Sequence, residues 1–221
     1  RRSGKSVNCM SILKYLGPKC KWGLAFVGSN ASINDYATCM PSSFIYDELD
    51  LDLIQRVIDR QNEQSQGNRK PDKIFIIIDD LAYNSALFAT KQIKQLFMNG
   101  RHLGITLIIT LQYCLLLPPS ARGNTDVVFC SQEKSVAYRR KLYENFSIVF
   151  RSFYEFDRTY RECTKDFETF VMLNCSGNSS DAISDNVFFY KSEFPLPKFT
   201  MNPGGSWWDL HRKRNDPSGS Y

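Results

Sequence analysis

Two acidic side chains follow the most apolar segment of the chain. Residues 74–78 read IFIII and run directly into Asp79 and Asp80. Two adjacent carboxylates at the end of a buried strand are costly unless a cation lies nearby. In open α/β sheets the first can hold the hydration shell of Mg²⁺, and the second can orient or deprotonate an attacking water. The pattern predicts a Walker B motif, with Asp79 as metal partner and Asp80 as catalytic base. The alternative is an Asp-Asp turn after a strand.

A second segment carries the chemistry of phosphate binding. Gly4, Lys5 and Ser6 are followed at once by helical spacing over residues 6–15. In a Walker A loop, G-x-x-x-x-G-K-[ST], backbone N–H groups wrap the phosphates, Lys contacts the β and γ oxygens, and the hydroxyl binds Mg²⁺. We therefore expect Gly4, Lys5, Ser6 and Val7 to bind ATP, and Ser6 to share the metal. The motif's first glycine would lie upstream of this sequence, where we expect the natural chain to begin. The alternative is a turn that caps a helix.

A polar amide ends the next apolar segment. Residues 105–112 read ITLIITLQ and finish at Gln112. An amide at that edge of a sheet can contact the γ-phosphate or position the lytic water, although a solvated strand end is the simpler interpretation. With h for an apolar residue, the order G-K-S, then h-h-h-h-D-D, then h-h-h-T-L-Q indicates a P-loop NTPase.

The surrounding pattern alternates strands with helices. Strand-like segments lie at residues 22–28, 73–81, 105–112 and 126–130, and helix-like segments at 50–64, 85–99, 133–146 and 153–163. This alternation predicts an α/β fold with a mostly parallel sheet and helices on both faces. Segments 105–112 and 73–81 look fully buried, and 167–174 and 186–192 look like closing strands. We expect a motor domain over residues 1–194 and an extended tail over 195–221.

Composition sets further limits. The 221 residues carry a net charge of +5, with 43% hydrophobic and 23% charged residues. These values are typical of one globular domain and permit a nucleic-acid partner without requiring it. Seven scattered cysteines predict reduced thiols, and His102 and His211 lack partners at metal-ligand spacing. Apolar stretches are too short to cross a bilayer, so we expect a soluble protein without membrane insertion.

At this point the chain resembles the genome-packaging ATPases of nucleocytoplasmic large DNA viruses, the poxvirus-type members of the FtsK/HerA branch of P-loop motors. The matching motifs are G-K-S at 4–6, IFIIIDDL at 74–81, NGRHLGITLIITLQY at 99–113 and PPSARGNTDVVF at 118–129. The resemblance covers residues 1–150, and residues 99–129 are its most specific part. One departure is Asp80, because cellular relatives usually carry Glu there.

The resemblance implies a RecA-like P-loop core that uses ATP and Mg²⁺. It also implies a homo-oligomeric ring, a pentamer or hexamer, that packages double-stranded DNA and docks on capsid or portal proteins. The implied location is the host cytoplasm, at the virus assembly site, or the virion. ATP sites between subunits imply an arginine acting in trans, for which Arg122 in S-A-R-G-N is the first choice and Arg101 the second.

A DNA pump should contact phosphates without reading bases. Candidate contacts are Arg69, Lys70, Arg139 and Arg140, although each belongs to a charge run that is usually a solvated face. Two other functions remain open. One is a cellular FtsK/HerA-type or conjugative translocase, which the motifs alone do not separate from a viral motor. The other is a nucleotide-binding structural subunit without turnover.

Overall fold

The computed structural model describes residues 4–66, 70–81, 85–147, 149–174 and 182–215. Its first sheet has four parallel strands in the order β2-β1-β3-β4. Their bounds are β1 Trp22–Val27, β2 Ile45–Tyr46, β3 Ile74–Asp79 and β4 Ile105–Ile109. The predicted α/β class with a parallel sheet is therefore confirmed.

Helices precede, connect and follow these strands. In the described ranges they are α1 Lys5–Leu16, α2 Asn30–Ala37, α3 Leu51–Gln66, α4 Lys91–Asn99, α5 Pro119–Gly123, α6 Val136–Phe146, α7 Phe153–Glu162, α8 Ile183–Asn186 and α9 Ser206–Arg214. None of the helices described is long and apolar enough to cross a bilayer.

The central strand β3 explains why its sequence is apolar on both faces. All six of its residues are buried, and it pairs with β1 on one side and β4 on the other. The prediction that β4 is fully buried is wrong. Its Thr106 is exposed and the next three residues are half-buried, because β4 is the edge strand of this sheet.

A second sheet is antiparallel, with the order β5-β6-β7. Its strands are β5 Val127–Cys130, β6 Glu168–Leu173 and β7 Val187–Lys191, so the two closing strands are confirmed. The alternation pattern did not foresee a separate sheet. Two helices, α6 and α7, lie between β5 and β6. A connection with one helix would return the chain for a parallel strand, whereas this connection with two helices makes β6 antiparallel to β5.

Helix α1 is held on the second sheet by polar contacts. Asn8 Nδ2 donates to Thr169 Oγ1 at 2.8 Å, and Ser192 Oγ donates to Asn8 Oδ1 at 2.6 Å. Nearly two helical turns further on from this contact, Lys14 forms an ion pair with Glu193. The helix that begins at the predicted phosphate loop is thereby fixed against β6 and the end of β7.

The C-terminal segment differs from the extended tail expected for residues 195–221. Ser206–Arg214 form α9, and Trp207 is only 2% exposed. Its ring lies 5.7 Å from that of Phe44 and 6.3 Å from that of Phe75 in β3. Because Pro, Gly and charged residues are abundant in this segment, the sequence pattern did not indicate the short helix. Burial of one large aromatic side chain stabilises it.

Candidate nucleotide site

The site lies where the parallel strands β3 and β4 end side by side. Asp79 is the last residue of β3 and is 1% exposed, and Thr110 directly follows β4. The Thr110 hydroxyl donates to Asp79 Oδ1 at 2.6 Å and accepts from the Asp80 N–H at 3.1 Å. One threonine therefore fixes the carboxylate of the first acidic residue and the backbone of the second.

The other oxygen of the Asp79 carboxylate is bonded by a residue that the sequence did not reveal. Tyr36, in α2, is 0% exposed and its hydroxyl donates to Asp79 Oδ2 at 3.0 Å. Burial raises the pKa of Tyr36, and nearby Cys9 and Asp79 raise it further, so the phenol stays protonated and donates. Residues 29–49 carry no apolar periodicity that would have indicated α2.

Asp80 occupies a left-handed backbone conformation that residues other than glycine rarely adopt. Its φ angle is 58°, and its carbonyl oxygen would lie 2.6 Å from a Cβ built on Gly28 at the end of β1. Only glycine at position 28 leaves room for this turn. The exposed Asp80 carboxylate accepts a hydrogen bond from Gln112 Nε2 at 3.1 Å. Gln112 therefore bonds the second carboxylate directly.

Helix α1 directs its amino terminus to the same edge. Gly4 precedes it with a φ of 73°, and no side chain caps the first turn. The first backbone N–H groups of a helix lack partners within the helix, so those of Lys5, Ser6 and Val7 are suited to an anion. The Lys5 ammonium donates to the carbonyl of Leu111, the residue next to Thr110, at 3.3 Å. The structure thus brings Lys5 close to the acidic pair.

The donor set fits a magnesium–nucleotide complex better than a protein-enclosed metal. No group of three or more His, Cys, Asp or Glu suited to a metal occurs in the described part of the chain. Mg²⁺ is held in many phosphate sites by one or two carboxylates together with phosphate oxygens and water. Asp79 and the half-buried Ser6 hydroxyl offer hard oxygen atoms of the kind that such a complex requires.

A nearby thiol takes no part in nucleophilic chemistry. Cys9 is buried in α1, and burial, with a smaller effect of Asp79, raises its pKa to about 12. Since the thiolate is the nucleophilic form, this cysteine is inert at neutral pH.

The two arginines expected to act in trans occupy different places. Arg122, in α5, is half-buried, and its Nη1 donates to the Leu117 carbonyl at 2.8 Å, in the segment that leaves the carboxyl end of β4. Arg101 lies before the amino end of β4, at the opposite edge of the sheet, where its Nε donates to Asp126 at 3.1 Å. Arg122 therefore lies on the side of β4 that carries the acidic pair, and Arg101 lies on the other side.

The expected DNA contacts fare differently. Arg69 lies outside the described residues, and Lys70 is exposed just before β3. The expectation for Arg139 is wrong, because this residue is only 5% exposed and forms a buried ion pair with Asp157. Arg139 is buried because position 139 lies on the inner face of the amphipathic helix α6. Arg140 is exposed and lies 4.0 Å above the Phe153 ring centroid.

Sequence comparison finds relatives in viruses. Protein 088R of Invertebrate iridescent virus 3 is 32% identical over 192 residues, which is 87% of this chain and 72% of that protein. Protein 015R of Frog virus 3 is 30% identical, over 93% of this chain and 63% of that protein. Protein L437 of Acanthamoeba polyphaga mimivirus is 27% identical, over 98% of this chain and 78% of that protein. All three are described as uncharacterized proteins. No family model matches the sequence.

Solved structures share the fold. The genome packaging NTPase B204 from Sulfolobus turreted icosahedral virus 2, in complex with ATPγS, superposes with a TM-score of 0.54 at 16% identity, covering 86% of this chain and 92% of that one. The DNA-packaging ATPase B204 from Sulfolobus turreted icosahedral virus gives 0.58 at 14% identity, covering 87% and 93%. At these identities the likeness establishes the architecture.

Proposed function

Because the chain belongs to the family of protein 088R of Invertebrate iridescent virus 3, we propose that it is a viral ATPase that drives double-stranded DNA into the capsid. The observation that carries the proposal is the meeting of Lys5, the Asp79–Asp80 pair and Gln112 at one edge of the parallel sheet. The genome-packaging NTPases whose structures share this fold give independent support.

The amino terminus of α1 would bind the phosphates of ATP. The backbone N–H groups of Lys5, Ser6 and Val7 have no capping side chain and can donate to phosphate oxygens, with Gly4 supplying the turn that exposes them. The Lys5 ammonium would leave the carbonyl of Leu111 for the β and γ phosphates, because a carbonyl is a weaker partner than an anion.

Ser6 and Asp79 would hold Mg²⁺, which when bound would neutralise negative charge on the transferred phosphoryl group. Asp80 would accept the proton of the attacking water. Gln112 supports this role because it donates to the Asp80 carboxylate and is exposed at the same edge, where it can also orient the water.

Assembly into a ring, as a pentamer or hexamer, would complete each site with an arginine from the neighbouring subunit. Arg122 remains the first candidate because it lies in the segment after the carboxyl end of β4, and Arg101 the second. Contacts to DNA phosphates would come from exposed cations such as Lys70 and Arg140. Docking to capsid or portal proteins, at the cytoplasmic assembly site or in the virion, belongs to the same proposal.

The first test measures ATP hydrolysis by the full-length protein with and without duplex DNA. We expect an oligomer whose hydrolysis is stimulated by DNA of any sequence. Lys5→Ala should lower hydrolysis by about 10²–10³-fold, the loss typical of removing one electrostatic stabiliser of the transition state. Lys94→Ala, an exposed lysine of α4, is the matched control and should behave as the unmodified protein. Full activity in Lys5→Ala would refute the proposal.

A mixing experiment tests the arginine in trans. Arg122→Ala and Asp80→Asn should each be inactive alone, because each removes one half of every site. Mixed together they should recover part of the activity, since some sites then pair an intact Asp80 with an intact Arg122. If mixing restores nothing, the same experiment with Arg101→Ala decides between the two candidates.

A further inference from the structure

We propose that Tyr36 is a positioning residue for Asp79. Its hydroxyl, together with that of Thr110, holds the carboxylate in the orientation that receives the magnesium–nucleotide complex. The inference rests on the proposed function, and it assigns a role to a helix that the motifs do not include.

The two hydroxyls approach the carboxylate from different parts of the fold. Thr110 follows β4 and bonds Oδ1 of Asp79, whereas Tyr36 comes from α2, between β1 and β2, and bonds Oδ2. The backbone of Asp79 is already fixed by its pairing with Val27 in β1. With both oxygens bonded, rotation of the carboxylate about its last side-chain torsion would break a charge-assisted hydrogen bond.

This arrangement leaves the carboxylate able to act. Each oxygen of an ionised carboxylate has about two acceptor sites, so one donor on each oxygen leaves capacity for a metal-bound water. No ion pair of Asp79 with a basic side chain is recorded within the described ranges. The buried negative charge of Asp79 is therefore held by neutral donors and stays available to a cation.

Tyr36 itself is rigidly placed. The ring is fully buried, α2 begins with the Ser29 side chain as its cap, and the Tyr36 carbonyl accepts from the N–H groups of Cys39 and Met40 at 3.0 Å each. Packing alone would be served by phenylalanine, because a buried hydroxyl costs free energy unless it is bonded. The hydroxyl is bonded to Asp79, and the Cys9 thiol is its other side-chain hydrogen-bond partner.

The test is Tyr36→Phe in the full-length protein, with binding of a fluorescent ATP analogue measured in Mg²⁺ and again in EDTA. Loss of a hydrogen bond that orients a metal ligand typically lowers metal affinity or activity 10–100-fold. We expect affinity in Mg²⁺ to fall about tenfold, with affinity in EDTA unchanged and the Mg²⁺ concentration for half-maximal hydrolysis raised.

Matched variants separate positioning from packing. Tyr46→Phe makes the same change in β2 on a half-buried ring that packs against Phe26, and it should alter neither measurement. Thr110→Ser should retain Mg²⁺-dependent binding because it keeps the hydroxyl, and Thr110→Val should lose it. Thermal unfolding of each variant checks that the fold is kept.

Two results would overturn the inference. One is unchanged Mg²⁺-dependent binding in Tyr36→Phe, and the other is an equal loss in Mg²⁺ and EDTA, which would mean that the residue only supports the fold. Lys5→Ala in the same assay separates this failure from that of the proposed function. If Lys5→Ala loses nucleotide while Tyr36→Phe does not, the ATPase proposal stands and the positioning role falls.

Discussion

The two edges of the parallel sheet both carry acidic residues but use them in opposite ways. At the amino edge, Lys21 Nζ lies 3.0 and 3.2 Å from the two oxygens of Asp72. Gln64 donates to the same carboxylate and accepts from the Asp72 N–H. Gln61 then bonds the carbonyls of Asp72 and Leu103, which links α3 to the starts of β3 and β4. The charge of this acid is matched within the chain.

At the carboxyl edge the hydrogen-bond partners of the acidic side chains are neutral groups. Asp79 is bonded by two hydroxyls and Asp80 by an amide, and no ion pair of Lys5 is recorded for the described ranges. Asp80 also holds a strained φ of 58°. Unmatched charge and backbone strain are stable only where the surrounding structure enforces them, and they concentrate at functional sites. The difference supports the proposal that the carboxyl edge binds the nucleotide, while the amino edge stabilises the fold.

The largest expected difference between the edges comes from the same substitution made at each. Asp80→Asn removes the proposed base and should lower DNA-stimulated hydrolysis by about 10²–10⁴-fold, the usual contribution of general base catalysis. Binding of the nucleotide should persist, because the phosphate contacts come from α1. Steady-state hydrolysis and equilibrium binding of the same preparation measure the two effects.

Asp72→Asn is the control at the other edge. It should leave hydrolysis within a factor of about two and act only on stability, as expected for a site remote from the reacting atoms. Equal losses of hydrolysis in the two variants would mean that the edges do not differ in function.

The sequence predicted the parts of this site that lie on apolar strands. IFIIIDD and ITLIITLQ fixed β3, β4 and the polar residues after them, because a run of apolar residues that ends in charge is a strong local signal. It missed Tyr36 and α2, since a short helix with one buried face residue and many polar ones has no clear period. It also misjudged Arg139, because charge alone does not reveal an ion pair that forms where α6 packs against α7.

A smaller effect is expected at Gly28, where the two neighbouring strand ends touch. In Gly28→Ala the new Cβ would lie 2.6 Å from the Asp80 carbonyl oxygen, so the backbone of Asp80 must shift. We expect a loss of about 1–3 kcal/mol in the free energy of unfolding, together with reduced hydrolysis. Gly204→Ala is the control, because nothing lies within 4 Å of its Cβ position. Denaturant titration of both variants measures the free energy of unfolding. Equal stability of Gly28→Ala and Gly204→Ala would contradict the close contact between Gly28 and Asp80.

Two glutamines that donate to acids, one at each edge, offer a finer comparison. Gln112→Ala frees the exposed Asp80 and should lower hydrolysis by about tenfold, the equivalent of one hydrogen bond to a charged group, with little change in stability. Gln64→Ala removes the donor to Asp72 and should lower the free energy of unfolding by about 0.5–1.5 kcal/mol with hydrolysis unchanged. A reversal of these two outcomes would exchange the roles assigned to the edges.

The smallest expected effect is a pH dependence of stability that comes from Asp72 at the amino edge. Partial burial acts to raise the pKa of Asp72, but the hydrogen bonds from Lys21 and Gln64 outweigh it and lower the pKa below the ordinary 3.8. A depressed pKa in the folded state contributes stability above the unfolded value and loses it as the pH falls through the folded value. The stability difference between the unmodified protein and Asp72→Asn, measured by urea unfolding, should therefore be larger at pH 7 than near pH 3. Because Lys21 is exposed, added salt should shrink the difference at pH 7 as well, and a difference that is constant across pH would show that the carboxylate charge contributes nothing at this edge.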